Sequence, residues 1–156
     1  MCVIVDNDIA HKFFSSPVSP QFAPVRHWIT RQSGRLVVGG LNMAELSSMV
    51  AAKQFIRQWK IAGIAVEIDA EDIAAATGSW VNLMASNDVH VIALARASGA
   101  RLLCTGETTG GLASDFTNKV LIDEPRGKVY RNAKSHRRLL GHSGSCGIDA
   151  TGVWKK

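Results

Sequence analysis

The residue order predicts an α/β fold, a three-layer α/β/α sandwich around a mostly parallel central sheet. Short β-branched runs such as Cys2-Val-Ile-Val5 and Arg35-Leu-Val-Val38 read as strands buried on both faces. Amphipathic stretches of helical period separate them. The two kinds of segment alternate along the chain, and that alternation builds a parallel sheet covered by helices.

Taken in order, the strand at 2–5 leads into a helix over 7–14, and Ser15-Ser16-Pro17-Val18-Ser19-Pro20 makes a turn. Pro20 suits a first helical position, and 21–32 forms a helix with Phe22, Val25, Trp28 and Ile29 as its apolar stripe. The strand at 35–38 ends in Gly39-Gly40, followed by a long helix over 42–60 stopped near Gly63. A strand covers 65–68, and Asp69 caps a helix over 70–84 that Gly78 weakens. Ser86 or Asn87 caps the next helix, 89–98, which Gly99 ends before the strand at 101–104. A turn and short helix fill 106–118, and Val120-Leu-Ile122 reads as the last strand. Beyond Pro125 the periodicity fades, so the expected organisation is one compact domain over 1–124 and a basic C-terminal extension over 125–156.

A chain of 156 residues, 46% hydrophobic and 20% charged, fits a soluble globular protein. No apolar run reaches the length of a membrane span, so no membrane association is expected. The first residues form a strand rather than a signal peptide, which makes the cytoplasm the expected compartment. Cys2, Cys104 and Cys146 are an odd number without framework spacing and read as reduced thiols. Residues 1–124 hold 10 Lys and Arg against 12 Asp and Glu, whereas 125–156 hold 8 against 1.

Carboxylates fall just past predicted strand ends. Asp6 follows 2–5 and Glu107 follows 101–104; Asp88 opens the 89–98 helix and Glu45 lies one turn into the helix after 35–38. In a parallel sheet all four converge on the carboxyl edge, where open α/β sheets place ligands. Acids gathered there repel one another, and with no Lys or Arg beside them in sequence a hard divalent ion is the simplest partner. Oxygen donors suit Mg²⁺ or Mn²⁺, and the chemistry that follows is attack of water on a phosphodiester.

Val3-Ile-Val-Asp6-Asn7, Ala44-Glu45-Leu46, Ser86-Asn-Asp88-Val-His-Val-Ile-Ala-Leu-Ala95 and Leu102-Leu-Cys-Thr105-Gly-Glu107, followed by Ser114-Asp115-Phe116, resemble PIN-domain nucleases in order and spacing. The likeness covers residues 1–124 and is strongest to small prokaryotic single-domain proteins, many of them VapC-type toxins. It implies a Mg²⁺- or Mn²⁺-dependent endoribonuclease with Asp6, Glu45, Asp88 and Glu107 as catalytic and metal-binding acids. It also implies an antitoxin partner, if the chain is a toxin, and a homodimer. The chain departs from the family at Thr105-Gly106-Glu107, where Asp most often follows in a Thr-x-Asp arrangement. Asp115 is an alternative ligand or a local hydrogen-bonding residue.

Several residues also admit plainer readings. Asp6 and Asp88 suit helix N-termini, Asp8 favours a helix dipole, and His90 reads as a hydrogen-bonded core residue. Trp28, Trp59 and Trp80 read as core or dimer contacts. Thr105 is a candidate to bond a carboxylate or phosphate. Arg126, Lys128, Arg131, Lys134, Arg137 and Arg138 are candidate RNA-phosphate contacts, joined by Lys155 and Lys156 at the end. His136, His142 and Cys146 lack paired zinc spacing. The rival functional readings are an RNA-binding or RNA-processing scaffold with weak or no catalysis, and a nuclease acting on DNA.

Overall fold

In the computed structural model, residues 1–108, 110–141 and 146 are described. Five strands, β1 (Cys2–Val5), β2 (Arg35–Gly39), β3 (Ala65–Ile68), β4 (Leu102–Cys104) and β5 (Lys128–Tyr130), form one sheet. The order is β3-β2-β1-β4-β5 and every pairing is parallel. Among the described residues eight α-helices accompany them: α1 (Ala10–Phe13), α2 (Ala23–Arg31), α3 (Gly40–Ser47), α4 (Val50–Ile61), α5 (Ala70–Ala76), α6 (Val89–Ser98), α7 (Gly111–Thr117) and α8 (Ala133–His136).

Because strand side chains alternate, each strand feeds two cores. Val3, Val5, Leu36, Val38, Leu102, Cys104 and Tyr130 point to one, packed by Phe13, Phe14, Trp28, Ile29, Ile56 and Trp59 from α1, α2 and α4. Cys2, Ile4, Val37, Leu103 and Val129 point to the other, filled by Ile92, Leu94, Leu112 and Phe116 from α6 and α7. The result is the three-layer α/β/α sandwich, with the inner strands β2, β1 and β4 buried on both faces as their continuous apolar runs require. Trp28, Trp59 and Trp80 are all buried, as their helical spacing led us to expect.

Several elements differ from the sequence reading. The long helix over 42–60 is two helices, parted where Ser48 turns its hydroxyl onto the Glu45 carbonyl (2.7 Å) and Met49 is extended. A serine hydroxyl there competes for backbone hydrogen bonds. The helix over 70–84 ends at Ala76, and Thr77 and Gly78 are extended before a 3-10 turn over Ser79–Leu83. Val120-Leu-Ile122 is not a strand: the amides of Leu121 and Ile122 both donate to the Asn118 carbonyl, so the run is a turn that buries Leu121 and Ile122 and leaves Val120 exposed.

The fifth strand comes instead from the segment expected to be an appendage. Lys128–Tyr130 pairs with β4, and Tyr130 is wholly buried with its hydroxyl donating to the Gln21 carbonyl. Residues 125–141 therefore belong to the sheet's own body, and a boundary at 124 would strip an edge strand from it. Apart from Cys146, the rest of the expected extension lies outside the described residues, His142, Lys155 and Lys156 with it.

The cysteines also differ from the expectation of reduced thiols. Cys2 and Cys146 form a disulfide with their Cα atoms 5.7 Å apart, and Cys104 is free and buried. Odd number and spacing describe only the sequence; the bond depends on Cys146 lying against the start of β1. No helix among the described residues is long and apolar enough to cross a membrane.

Candidate active site

The strand order determines where a site can form. From β1 the chain steps outward through β2 and β3, then crosses to the other side of β1 for β4 and β5. The connections therefore leave β1 and β4 in opposite directions, and the crevice at their carboxyl ends is the topological switch point. Asp6 and Thr105 are the residues that follow these two strands.

Their backbones and side chains are tied together. The Asp6 amide donates to the Cys104 carbonyl (2.9 Å), extending the β1–β4 ladder, while Asn42 Nδ2 from α3 donates to the Val5 carbonyl (3.1 Å). Thr105 Oγ1 donates to Asp6 Oδ2 (2.8 Å) and accepts the Glu107 amide (3.2 Å). Asp6 occupies the N-cap position of a 3-10 turn over Asn7–Ile9 without capping it, so its carboxylate is not spent on the helix.

That turn brings in Asp8. Its Oδ2 accepts the Gly106 amide (3.0 Å), and its carboxylate oxygens lie 3.4 and 3.5 Å from Thr105 Oγ1. A Cβ on Gly106 would stand 2.9 Å from Asp8 Oδ2. Gly106 thus allows the acid to approach the backbone. Reading 7–14 as one helix put Asp8 on its first turn; the signal that could have found it is the spacing Asp6-Asn7-Asp8 past a strand, which a 3-10 turn folds back over the strand end.

The Asp6 carboxyl is pushed up to about 7, by burial first. The Thr105 hydrogen bond opposes that rise, while the charge of Asp8, a hydrogen bond with Asp8 and the charge of Asp88 add to it. Asp88 occupies the N-cap position of α6 without a side-chain cap bond, and its amide donates to Ser86 Oγ (3.3 Å). Asp8 and Asp88 thus both act on Asp6 at the switch point.

The other two expected acids are engaged elsewhere. Glu45 Oε2 lies 3.1 Å from His90 Nε2, a contact that joins α3 to α6. Glu107 Oε2 accepts the Ala113 amide (3.0 Å) in the first turn of α7, where orphan donors and the helix dipole favour an anion. Asp115 is no substitute ligand: it is buried, and its two oxygens accept the amides of Ala85 (2.9 Å) and Ser86 (2.8 Å). Among the described residues, no group of three or more His, Cys, Asp or Glu side chains is drawn together as a metal cage.

Of the basic candidates, Arg126, Lys128, Lys134, Arg137 and Arg138 are exposed and Arg131 is partly buried. The sheet, not a free tail, sets the place of those on and beside β5: the Thr105 amide donates to the Tyr130 carbonyl (3.1 Å), so Arg131 stands next to the site residue Thr105.

No family model, curated protein or solved structure matches the chain.

Proposed function

We propose that the chain is a metal-dependent endoribonuclease of the PIN type, working at the carboxyl ends of β1 and β4. The observation that carries this reading is Asp6, held by Thr105 at the switch point with its carboxyl pushed up to about 7 by burial and then by Asp8 and Asp88. An acid in that setting gains from a cation.

The donor set does not fit the four-carboxylate cage expected from sequence, because Glu45 and Glu107 have other partners. It does fit Mg²⁺ or Mn²⁺ held by few protein ligands, since Mg²⁺ is commonly bound through one or two carboxylates, several waters and substrate phosphate. Asp6, with Asp8 or Asp88 as a second carboxylate, would hold the ion, and its contribution would be Lewis-acid stabilisation of charge developing on the phosphate.

The chain's own residues would do the rest. Thr105 and the Asn42–Val5 contact fix the direction of Asp6. Gly106 fixes Asp8. The basic residues after β5 supply a salt-sensitive grip on RNA phosphates that carries no sequence information.

Cleavage of a mixed RNA pool with Mn²⁺ or Mg²⁺ tests this reading, comparing the native chain with Asp6→Asn and Asp88→Asn. Both substitutions should lower the rate at least a hundredfold, on the order of the loss when a main electrostatic group is removed. Cleavage that survives both would sink the site, and parallel assays on DNA separate the DNA-directed reading.

The engagement of Glu45 with His90 and of Glu107 with Ala113 favours a second reading, an RNA-binding or RNA-processing scaffold without efficient catalysis. RNA binding without cleavage under either metal would select it. An antitoxin and a homodimer are part of the first reading, and co-purification and solution mass test them. A cytoplasmic setting is also part of it, and the Cys2–Cys146 disulfide pulls against that setting because such bonds persist mainly in oxidising compartments.

A further inference from the structure

Arg131 differs from the other basic residues around it. It follows Tyr130 at the end of β5, so it stands beside Thr105 at the edge that holds the aspartates. Its Nε is buried and has no hydrogen-bond partner among the described residues. No acid among them pairs with it. Its backbone is fixed, because the Arg131 amide donates to His136 Nδ1 (3.2 Å). The His136 imidazole is held below its usual pKa by burial and then by the charges of Arg131 and Arg138, so the guanidinium lies in a locally cationic setting.

Arg131 as a whole is only partly buried, but a buried N–H left unpaired is costly. Such groups in folded chains call for a bound anion or an ordered water. The planar guanidinium fork matches a phosphate through two parallel hydrogen bonds, which an ammonium group cannot reproduce.

We propose that Arg131 holds one backbone phosphate of the RNA beside Thr105, as a built contact distinct from the diffuse grip of Arg126, Lys128, Lys134, Arg137 and Arg138. This rests on the reading of the chain as one that acts on RNA. The contact sets where the strand enters the crevice, and the exposed cations raise affinity without setting position.

The test is fluorescence anisotropy of a labelled short single-stranded RNA, with chelator present so that cleavage plays no part. Native chain, Arg131→Lys, Arg131→Gln and Arg138→Gln are compared across a salt series, with thermal melts to check folding. Arg131→Gln should weaken binding about tenfold and lower the slope of log affinity against log salt by about one. Arg131→Lys should also weaken it about tenfold while keeping the native slope, because the charge remains and the fork is lost. Arg138→Gln should weaken it by less than about threefold. Native-like binding by Arg131→Lys, or an Arg131→Gln loss no larger than that of Arg138→Gln, overturns the proposal. A native chain that binds no RNA at low salt overturns the RNA reading and this one together, whereas tight native binding with unaffected Arg131 variants overturns this one alone.

Discussion

Thr105 donates its hydroxyl to Asp6 across 2.8 Å, joining two residues 99 positions apart at the carboxyl ends of adjacent parallel strands. A hydroxyl has one proton, so the 2.8 Å contact is the hydrogen bond and the contacts to Asp8 at 3.4 and 3.5 Å are electrostatic. The bond favours the ionised form of Asp6 against burial and against its acidic neighbours. Thr105→Val removes it at nearly constant volume. Cleavage should fall about tenfold or more and the Asp6 pKa should rise, with Thr105→Ser restoring both. Rates and carboxyl NMR titrations of the three proteins check this.

The raised Asp6 pKa implies a pH dependence of stability in metal-free buffer. In the folded chain Asp6 keeps its proton up to about 7, whereas the unfolded chain releases it near 3.8. Between those values the native state binds more protons, so this group's contribution falls as pH rises toward 7 and stays low above it. Asp6→Asn should therefore raise the melting temperature at pH 8 in chelator by about 5 °C and change it little at pH 4. Mg²⁺ should raise the native melting temperature at pH 8 and leave that of Asp6→Asn unmoved. Calorimetry with and without chelator decides; an Asp6→Asn gain no larger at pH 8 than at pH 4 would contradict the sign.

Asp8 and Glu107 exchange the importance that sequence position alone suggests. Asp8→Asn should reduce cleavage about tenfold or more, because its charge lies against the Asp6–Thr105 pair. Glu107→Ala should leave most activity and cost about 1 kcal/mol of stability, the loss of one acceptor at a helix N-terminus. Gly106→Ala should behave like Asp8→Asn, since the added Cβ meets Asp8 Oδ2 at 2.9 Å. Paired cleavage and urea measurements separate the three.

Asp115 should be a stability residue. Its carboxylate pins the Ala85 and Ser86 amides just before Asp88, from a position 3% exposed. Asp115→Ala leaves two amides unpaired and should cost about 2–4 kcal/mol in urea unfolding. A loss under about 1 kcal/mol would mean that water replaces the carboxylate at both amides.

Thiol titration distinguishes the two states of the cysteines. Without reductant, the denatured chain should show one reactive thiol, Cys104, because Cys2 and Cys146 are joined. After reduction it should show three. Reduction should lower stability by about 3–5 kcal/mol, as for a cross-link closing a long loop. Three thiols before reduction would restore the reduced reading.

The basic segment also changes how its role is tested. Deleting everything after 124 would remove β5 and expose the β4 edge that Tyr130 covers, so weaker RNA binding by that truncation would report a damaged sheet. Charge substitutions at single positions are the appropriate probe.

What was legible in the sequence was what depends on local pattern. Continuous apolar runs marked β1, β2 and β4 as strands buried on both faces, their alternation with helices predicted a mostly parallel sheet, and such a sheet put the strand-end acids, Asp6 and Glu107 among them, toward one edge. Partner choice was not local. Whether Glu107 faces Asp6 or the open amide of Ala113, whether Asp8 extends a helix or folds back against Gly106, and whether 125–141 trails away or closes the sheet all turn on contacts between distant segments. Hydrogen bonds of about 3 Å are satisfied by whichever donor the packed backbone brings within reach. The residue order alone thus determined the sandwich and the edge on which a site would form; the tertiary structure decided that Asp6 and Asp8 meet there at Thr105, that two glutamates are held by His90 and Ala113, and that Arg131 stands beside Thr105.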